Sequence, residues 1–256
     1  MDAFWLQQTE SEVPTNNDWL SSLEASQLNG MSIPKRRTEW RLGRWTAKCA
    51  LAACLKHSAE QRLFRDIEIR PTSSGAPEVF LAGRRAAFSI SLSHRAGLAI
   101  AAVASSGIAL GCDLELIEQR CDSFAADYFT EEEQLLVRSA ATAEQSALVT
   151  LLWSAKESAL KAIGQGLRLD TRSMMVKVDM DSISAAPGQA PPAQRMGLPH
   201  DWDFPETKRW YAVEIAYIGT QRRFRGWWQR TSPLLRTVVA DPPLPPPVLL
   251  EPFICG

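Results

Sequence analysis

The sequence has no strong excess of charge of either sign. Its 28 Lys and Arg residues nearly balance its 29 Asp and Glu residues, which leaves a formal net charge of −1. Such a chain has no overall electrostatic attraction to polyanions. We therefore expect no nucleic acid and no membrane among its partners, and any anion-binding site has to be local.

Paired cysteines are also lacking. The five cysteines are odd in number and none forms a C-x-x-C motif. This pattern argues against a zinc site and against a disulfide framework. It favours small buried thiols in a reducing cytosol.

Long apolar runs and targeting signals are absent as well. No stretch approaches the roughly 20 apolar residues that span a bilayer. Residues 1–20 carry four acids in place of the basic start and apolar core of a secretory signal. We expect a cytoplasmic protein, and 256 residues with 45% hydrophobic content are enough for one large or two small domains.

Two short acidic segments stand out against this ordinary background. The first is G-C-D-L-E at 111–115, which follows an apolar run and predicts the end of a buried strand. Side chains two apart on a strand share a face, so Asp113 and Glu115 point the same way. Two acids at the end of a buried strand require compensation, whereas an isolated D-x-E is usually exposed.

The second segment is W-S-A-K-E-S-A-L-K at 153–161, which predicts a helix. Trp153, Glu157 and Lys161 recur every four residues and share one face. The simplest interpretation of the last two is an exposed ion pair worth about 0.3–0.5 kcal/mol. If this helix lies beside the strand, three carboxylates meet, and oxygen ligands of that kind suit Mg²⁺.

The order and separation of these two segments resemble the signature of the 4′-phosphopantetheinyl transferases, in their larger single-chain, pseudo-dimeric form. The resemblance runs from about residue 34 to 169, with weaker support to 219. It implies Mg²⁺-dependent transfer of the 4′-phosphopantetheine arm of coenzyme A to a serine of an acyl or peptidyl carrier protein. Adenosine 3′,5′-bisphosphate is the implied second product, and the enzyme is expected to be a monomer.

The resemblance also implies roles for single residues. It assigns Asp113, Glu115 and Glu157 to the metal, gives Glu157 a second role as general base, and assigns Lys161 to a phosphate. Lys156 is a further candidate for a phosphate contact.

Coenzyme A itself is expected to contact the first part of the chain. Ser93 and His94 resemble the pair that holds a coenzyme A phosphate in the family, although a lone histidine in a turn is more often structural. Arg37, Arg41, Arg44 and Lys48 lie along one side of a predicted helix over 37–56. Such a stripe is normally solvated, but the resemblance implies that one or two cations of this region bind the 3′-phosphate. The candidates are Lys35, Arg36, Arg37, Arg41 and Arg44.

Two weaker matches remain open. A G-x-P triplet at 75–77 resembles the loop over the adenine side in the family, but such triplets occur in many turns. Glu133 matches an acid near the metal, yet T-E-E-E at 130–133 is also a capping box that opens a helix.

The element order predicts an α+β fold of two similar halves with antiparallel sheets and the active site between them. Strands are predicted over 87–93, 98–104 and 108–115, as one antiparallel meander, and again over 174–180 and 210–218. A second long helix is expected over 143–163. The predicted divisions are residues 1–108, residues 109–232 and a Pro-rich tail over 233–256, with no residue-level repeat evident between the halves.

Four other segments receive brief interpretations. Residues 1–33 are expected to be an irregular lead-in, and 184–199 a surface loop. Residues 222–230, with aromatic residues among arginines, are expected to form an amphipathic helix that packs on the core, and the alternative is a stacking surface for nucleic acid. Residues 121–129, with Phe124, Tyr128 and Phe129, are expected to form an apolar surface for the carrier protein.

The alternatives are a metal-dependent pyrophosphatase or nucleotide hydrolase that uses the same acids, and a non-catalytic module that binds coenzyme A or a carrier protein.

Overall fold

The structure is a computed structural model that describes residues 1–55, 61–121, 123–185 and 209–251. Its helices are α1 (Ser22–Asn29), α2 (Pro34–Cys54), α3 (Gln61–Asp66), α4 (Ser123–Tyr128), α5 (Glu131–Ser139), α6 (Thr142–Ala162) and α7 (Met180–Ala185). Its strands are β1 (Phe4–Thr9), β2 (Ile67–Pro71), β3 (Pro77–Leu81), β4 (Arg84–Arg85), β5 (Phe88–Arg95), β6 (Leu98–Ser105), β7 (Ala109–Leu116), β8 (Met174–Val178), β9 (Tyr211–Tyr217), β10 (Arg223–Thr231), β11 (Leu234–Asp241) and β12 (Val248–Leu249).

The chain folds into two similar α+β halves, as the sequence predicts. The first half contains a sheet of order β12-β1-β6-β5 and a smaller sheet β2-β3-β4, and the second contains a sheet of order β7-β11-β10-β9-β8. In each half the opening strand pairs antiparallel with the last strand of a hairpin, β1 with β6 and β7 with β11. A 21-residue helix, α2 or α6, packs against each sheet.

Three buried clusters hold this arrangement together. One surrounds α2 in the first half and one surrounds α6 in the second. The third joins the halves, because Trp5 and Ile100 from the first sheet pack with Leu114 and Val238 from the second. The shared core fixes the two sheets relative to each other, and with them the cleft between the halves.

Both ends of the chain depart from the sequence prediction. The expected lead-in contains β1, a strand between β12 and β6, and the helix α1. The expected tail over 233–256 begins with β11, which lies between β7 and β10 and is buried along most of its length. The apolar pattern of 234–241 fits a central strand, and its proline neighbours obscured it.

Two other predictions are corrected inside the sheets. β7 does not continue the meander of β5 and β6, because it pairs with β11 in the other sheet. Residues 223–231 form a strand where a helix was expected, since Phe224, Gly226 and Trp228 alternate toward the core with period two. The predicted loop over 184–199 lies outside the described residues from 186 onward.

Candidate active site

The site is built where β7 and α6 approach each other at Gly111. A Cβ atom added there would lie 1.8 Å from the carbonyl oxygen of Ser158 and 2.9 Å from the backbone nitrogen of Ala162. No side chain fits such a distance, so glycine is required for the helix to pack this closely. The close approach brings the Glu157 and Lys161 face of α6 beside the acids of β7.

Lys161 joins the two predicted acidic segments. Its Nζ donates hydrogen bonds to Oδ1 of Asp113 at 2.8 Å and to the carbonyl of Cys112 at 3.1 Å. The same Nζ lies 3.6 Å from Oε2 of Glu157. Burial lowers the pKa of Lys161, but Asp113 and Glu157 outweigh it and leave that pKa above its ordinary value. The lysine therefore stays cationic between two acids.

Asp113 is buried and incompletely satisfied. Its Oδ1 accepts a second hydrogen bond, from Oγ of Ser93 at 2.8 Å. Its Oδ2 is buried and has no hydrogen-bond partner among the described residues. An unsatisfied carboxylate oxygen in a buried position is costly unless another group binds it.

Glu115 is held by donors on both oxygens. The indole Nε1 of Trp153 donates to Oε1 at 3.1 Å, and Arg120 donates to Oε2 at 3.1 Å. Arg95 lies 3.5 Å from the same Oε2. Trp153 thus links the helix motif directly to the strand motif, which is why the sequence places an indole on this face.

The neighbouring acids repel one another. Burial, followed by the charge of Asp113, raises the pKa of Glu115 above its ordinary value. The same two causes raise the pKa of Glu157, against the opposing effect of Lys161. Both shifts reflect burial of the carboxylates first and the negative charge of Asp113 second.

These residues fit a hard divalent cation in kind. Asp113, Glu115 and Glu157 offer only oxygen ligands, the type that Mg²⁺ prefers, and Oδ2 of Asp113 is unpartnered. Within the described ranges, however, no group of three or more His, Cys, Asp or Glu side chains is arranged to hold a metal ion. The three-ligand metal site therefore stays a prediction.

A cleft of about 410 Å³ lies between the halves and reaches Lys161. Arg44 and His94 line it from the first half, and Gly164 and Gly166 line it from the second. The predicted G-x-P loop at 75–77 forms part of its wall. The cleft thus brings together segments that the sequence analysis linked only through the family resemblance.

Two predicted coenzyme A contacts lie at this cleft. His94 is half-exposed, and its Nε2 is 3.6 Å from Oε2 of Glu39 on α2. The guanidinium of Arg44 lies 5.0 Å from the centre of the Trp40 ring, and both residues line the cleft. Ser93, the third predicted contact, instead bonds to Asp113.

The other predicted cations serve the fold. Arg37 donates to the carbonyls of Leu28 and Met31, and Arg41 donates to the carbonyls of Pro14 and Asn16. These bonds fix the segments before α2 onto that helix. In the structure, the guanidiniums of Arg37 and Arg41 are therefore engaged with backbone carbonyls, where a phosphate contact was predicted.

Lys48 and Lys156 are corrected in the same way. Lys48 is not part of a solvated stripe, since its side chain is fully buried. Lys156 is fully buried too, and its Nζ lies 2.7 Å from Oε2 of Glu133, so the prediction of a phosphate contact is contradicted. Glu133 closes the capping box with Thr130 and does not join the acids of β7.

Sequence reasoning missed Glu39, Trp40, Arg95 and Arg120. Glu39 and Trp40 lie on α2 within four residues of the predicted cations, and Arg95 directly follows His94. Arg120 lies in the irregular segment that follows β7, shortly after Glu115. Proximity to the motifs was the available signal for all four, but charge and aromaticity alone do not say which element they face.

The described part of the chain contains no helix long and apolar enough to cross a bilayer. None of its described cysteines forms a disulfide. Cys255 lies outside the described residues.

Comparison with known proteins finds the same family that the motifs resemble. Residues 109–214 match the 4′-phosphopantetheinyl transferase superfamily. The chain is 29% identical over 228 residues to the 4′-phosphopantetheinyl transferase HetI of Nostoc sp. (strain PCC 7120 / SAG 25.82 / UTEX 2576), covering 86% of this chain and 88% of HetI.

Two solved structures are also similar. A holo-(acyl-carrier-protein) synthase from Bacillus anthracis in complex with CoA (3′,5′-ADP) is 23% identical with a TM-score of 0.34, covering 40% of this chain and 92% of its own. The Helicobacter pylori holo-[acyl-carrier-protein] synthase in complex with coenzyme A is 22% identical with a TM-score of 0.29, covering 41% of this chain and 99% of its own. By its motifs and by these relatives, this chain is similar to the 4′-phosphopantetheinyl transferase superfamily.

Proposed function

We propose that the chain transfers 4′-phosphopantetheine from coenzyme A to a serine hydroxyl of an acyl or peptidyl carrier protein, with Mg²⁺. The observation that supports this most strongly is the position of Lys161. It lies between Asp113 and Glu157 and also lines the cleft between the halves. A cation at the meeting point of a cleft and an acidic cluster suits a pyrophosphate whose bond is to be broken.

The nucleotide side of coenzyme A would occupy the cleft. Arg44 and His94 are the predicted phosphate contacts that line it, while the 75–77 loop forms a wall for the adenine. The carboxylate of Glu39 lies against the ring of His94 and helps to hold it at the cleft. Both halves line the cleft, so one copy of the chain is sufficient for binding.

In the transfer step, the serine oxygen attacks the phosphorus that carries the pantetheine arm. The new P–O bond forms as the bond to the adenosine-side phosphate breaks, and adenosine 3′,5′-bisphosphate leaves. Glu157 accepts the serine proton, and its raised pKa suits a general base. Lys161 neutralises charge that develops on the leaving phosphate.

Magnesium on the carboxylates of Asp113, Glu115 and Glu157 would stabilise the pyrophosphate charge and orient it for in-line attack. The chain's own contribution is to hold these acids close together near the C-terminal end of β7. Trp153 and Arg120 orient Glu115, and Ser93 and Lys161 orient Asp113.

The carrier protein is proposed to dock on the segment before α5. Tyr128 is 38% exposed, and its ring packs 4.9 Å from that of Trp153. Phe124 also contacts Trp153, at 5.2 Å, and lines a neighbouring groove of about 330 Å³. Phe129, expected on the same surface, is only 1% exposed and belongs to the core.

Incubation of the chain with coenzyme A, Mg²⁺ and an apo carrier protein tests the proposed reaction. Carrier mass raised by one phosphopantetheine group supports the transferase. Cleavage of coenzyme A without carrier labelling would identify a hydrolase, and binding without turnover would identify a non-catalytic module. Either of the last two outcomes would overturn the proposal.

A further inference from the structure

The long helices of the two halves carry the same four-residue pattern. Residues 45–48 read Trp-Thr-Ala-Lys in α2, and residues 153–156 read Trp-Ser-Ala-Lys in α6. Each pattern begins at the same distance from the first residue of its helix. The expectation that no residue-level repeat exists is therefore wrong.

In the first half, the side chain of Lys48 is buried, and its Nζ contacts one carboxylate and two backbone carbonyls. Its Nζ lies 2.5 Å from Oε2 of Glu24. It also donates to the carbonyl oxygens of Trp19 at 3.0 Å and Phe64 at 2.7 Å. Trp19 lies two residues before the cap of α1, and Phe64 lies three residues before β2.

Lys156 repeats this set in the second half. Its Nζ lies 2.7 Å from Oε2 of Glu133 and donates to the carbonyls of Tyr128 at 3.2 Å and Thr171 at 3.0 Å. Tyr128 lies two residues before the cap of α5, and Thr171 lies three residues before β8. Every partner of Lys156 thus has a counterpart around Lys48.

The two glutamates match as well. Glu24 and Glu133 are each the third residue of a helix, where they close a capping box. The second oxygen of each accepts a backbone N–H from the third residue of a strand, Ile69 of β2 at 3.2 Å and Val176 of β8 at 2.8 Å. Each Lys–Glu clamp therefore ties a long helix, a short helix and a strand together.

The first-half clamp exists without the catalytic residues. Cys49 and Ala53 of α2 occupy the positions that Glu157 and Lys161 occupy in α6. Lys48 is therefore buried in a half that has no counterpart of Glu157 or Lys161. The role of such a buried lysine does not depend on a phosphate. In the second half, the same clamp holds the helix that carries Glu157 and Lys161.

We infer that Lys156 is a positioning residue, the internal counterpart of Lys48, and that it acts through Glu133. It fixes α6 so that Glu157 and Lys161 meet Asp113, and it does not contact coenzyme A. The catalytic part of this inference rests on the proposed transfer reaction. The binding and stability parts do not.

Two matched variants test the inference, Lys156→Met and Lys48→Met. Each keeps the apolar stem and leaves one buried glutamate without its cation, which is strongly destabilising. Both should lower the midpoint of urea unfolding by a similar amount. Both should bind coenzyme A within about threefold of the native dissociation constant. Turnover should fall at least about tenfold in Lys156→Met only, because only α6 carries catalytic residues.

The double variant Lys156→Met/Glu133→Gln keeps the test decisive if a single variant folds poorly. Glutamine retains an acceptor without leaving a buried charge, so the unfolding midpoint and the turnover should both recover in part. Coenzyme A binding weakened at least about tenfold by Lys156→Met, with an unchanged unfolding midpoint and no recovery in the double variant, would overturn the inference. If the native chain transfers nothing, the proposed function fails, but the comparison of binding and unfolding still decides the role of Lys156.

Discussion

Nζ of Lys161 lies 2.8 Å from Oδ1 of Asp113, so the last turn of α6 is bonded to the end of β7. The two residues are far apart in sequence, and each belongs to one of the two motifs that indicate the family. Their contact depends on Gly111, which lets the helix approach the strand. The proposed chemistry depends on this contact.

Substitution of His94 should affect mainly coenzyme A binding, and substitution of Glu157 should affect mainly the chemical step. His94→Ala removes a cleft contact used in both the ground state and the transition state, so it should raise the dissociation constant of coenzyme A about tenfold and change kcat little. Glu157→Gln cannot accept the serine proton, so kcat should fall by about 10²–10⁴ with binding nearly retained. Calorimetric titration with steady-state rates checks both, and reversed effects would refute the assigned roles.

Gly111→Ala should destabilise the protein and abolish transfer. The added Cβ has no space against the Ser158 carbonyl, so α6 has to move away from β7, at a cost of at least about 1–3 kcal/mol. Gly43→Ala in α2 is the control, since nothing lies within 4 Å of its Cβ position and alanine favours a helix by about 0.5–1 kcal/mol. Equilibrium unfolding compares them. Equal stability of the two variants would contradict the close approach.

The stability of the protein should fall at alkaline pH, in part because of Cys112. Burial raises the pKa of this thiol from 9.0 to about 11. Between these values the unfolded chain loses the thiol proton while the folded chain keeps it, so the free energy of unfolding declines as pH rises. The contribution of this residue is at most about 2–3 kcal/mol. Cys112→Ala should flatten the decline between pH 9 and 11, and an unchanged slope would refute the assignment.

Carrier recognition should depend on apolar contact near Tyr128. Tyr128→Glu should raise the KM for the carrier severalfold while coenzyme A binding stays unchanged, because the ring is partly exposed beside Trp153. Ile218→Glu, at an exposed apolar residue beyond β9, is the control and should change neither. Carrier KM should rise only modestly with salt through the range where the Debye length is about 8–10 Å. A steep rise would show that charge governs recognition.

The sequence predicted the elements whose burial follows a simple period. The helix over 142–162 and the strand over 109–116 were found because their apolar residues recur at helical and strand spacing. β1 was missed because Gln7, Gln8 and Thr9 make it look polar, although Gln8 is buried. β10 was misassigned because arginines and aromatic residues are interleaved along it. The segment is too short for the strand period to stand out from the helix period.

The site was predicted in part for a similar reason. Glu157 and Lys161 were found because they share a helix face with Trp153, and contacts along one helix are local. Lys156 was misassigned because a lysine is normally exposed or at a ligand. Its burial depends on Glu133 and on two carbonyls from other elements. Pairings between distant elements leave no periodic signal in a single sequence.

The central claim is that Asp113, Glu157 and Lys161 together carry phosphopantetheine transfer. The most direct test is the intact mass of an apo carrier protein after incubation with coenzyme A, Mg²⁺ and either the native chain or Asp113→Asn. The native chain should add one phosphopantetheine group to the carrier serine. The variant should label the carrier at least about 10²-fold more slowly, because it lacks the negative charge that holds Lys161 and would bind the metal. Equal labelling by the two proteins, or no labelling by the native chain, would contradict the claim.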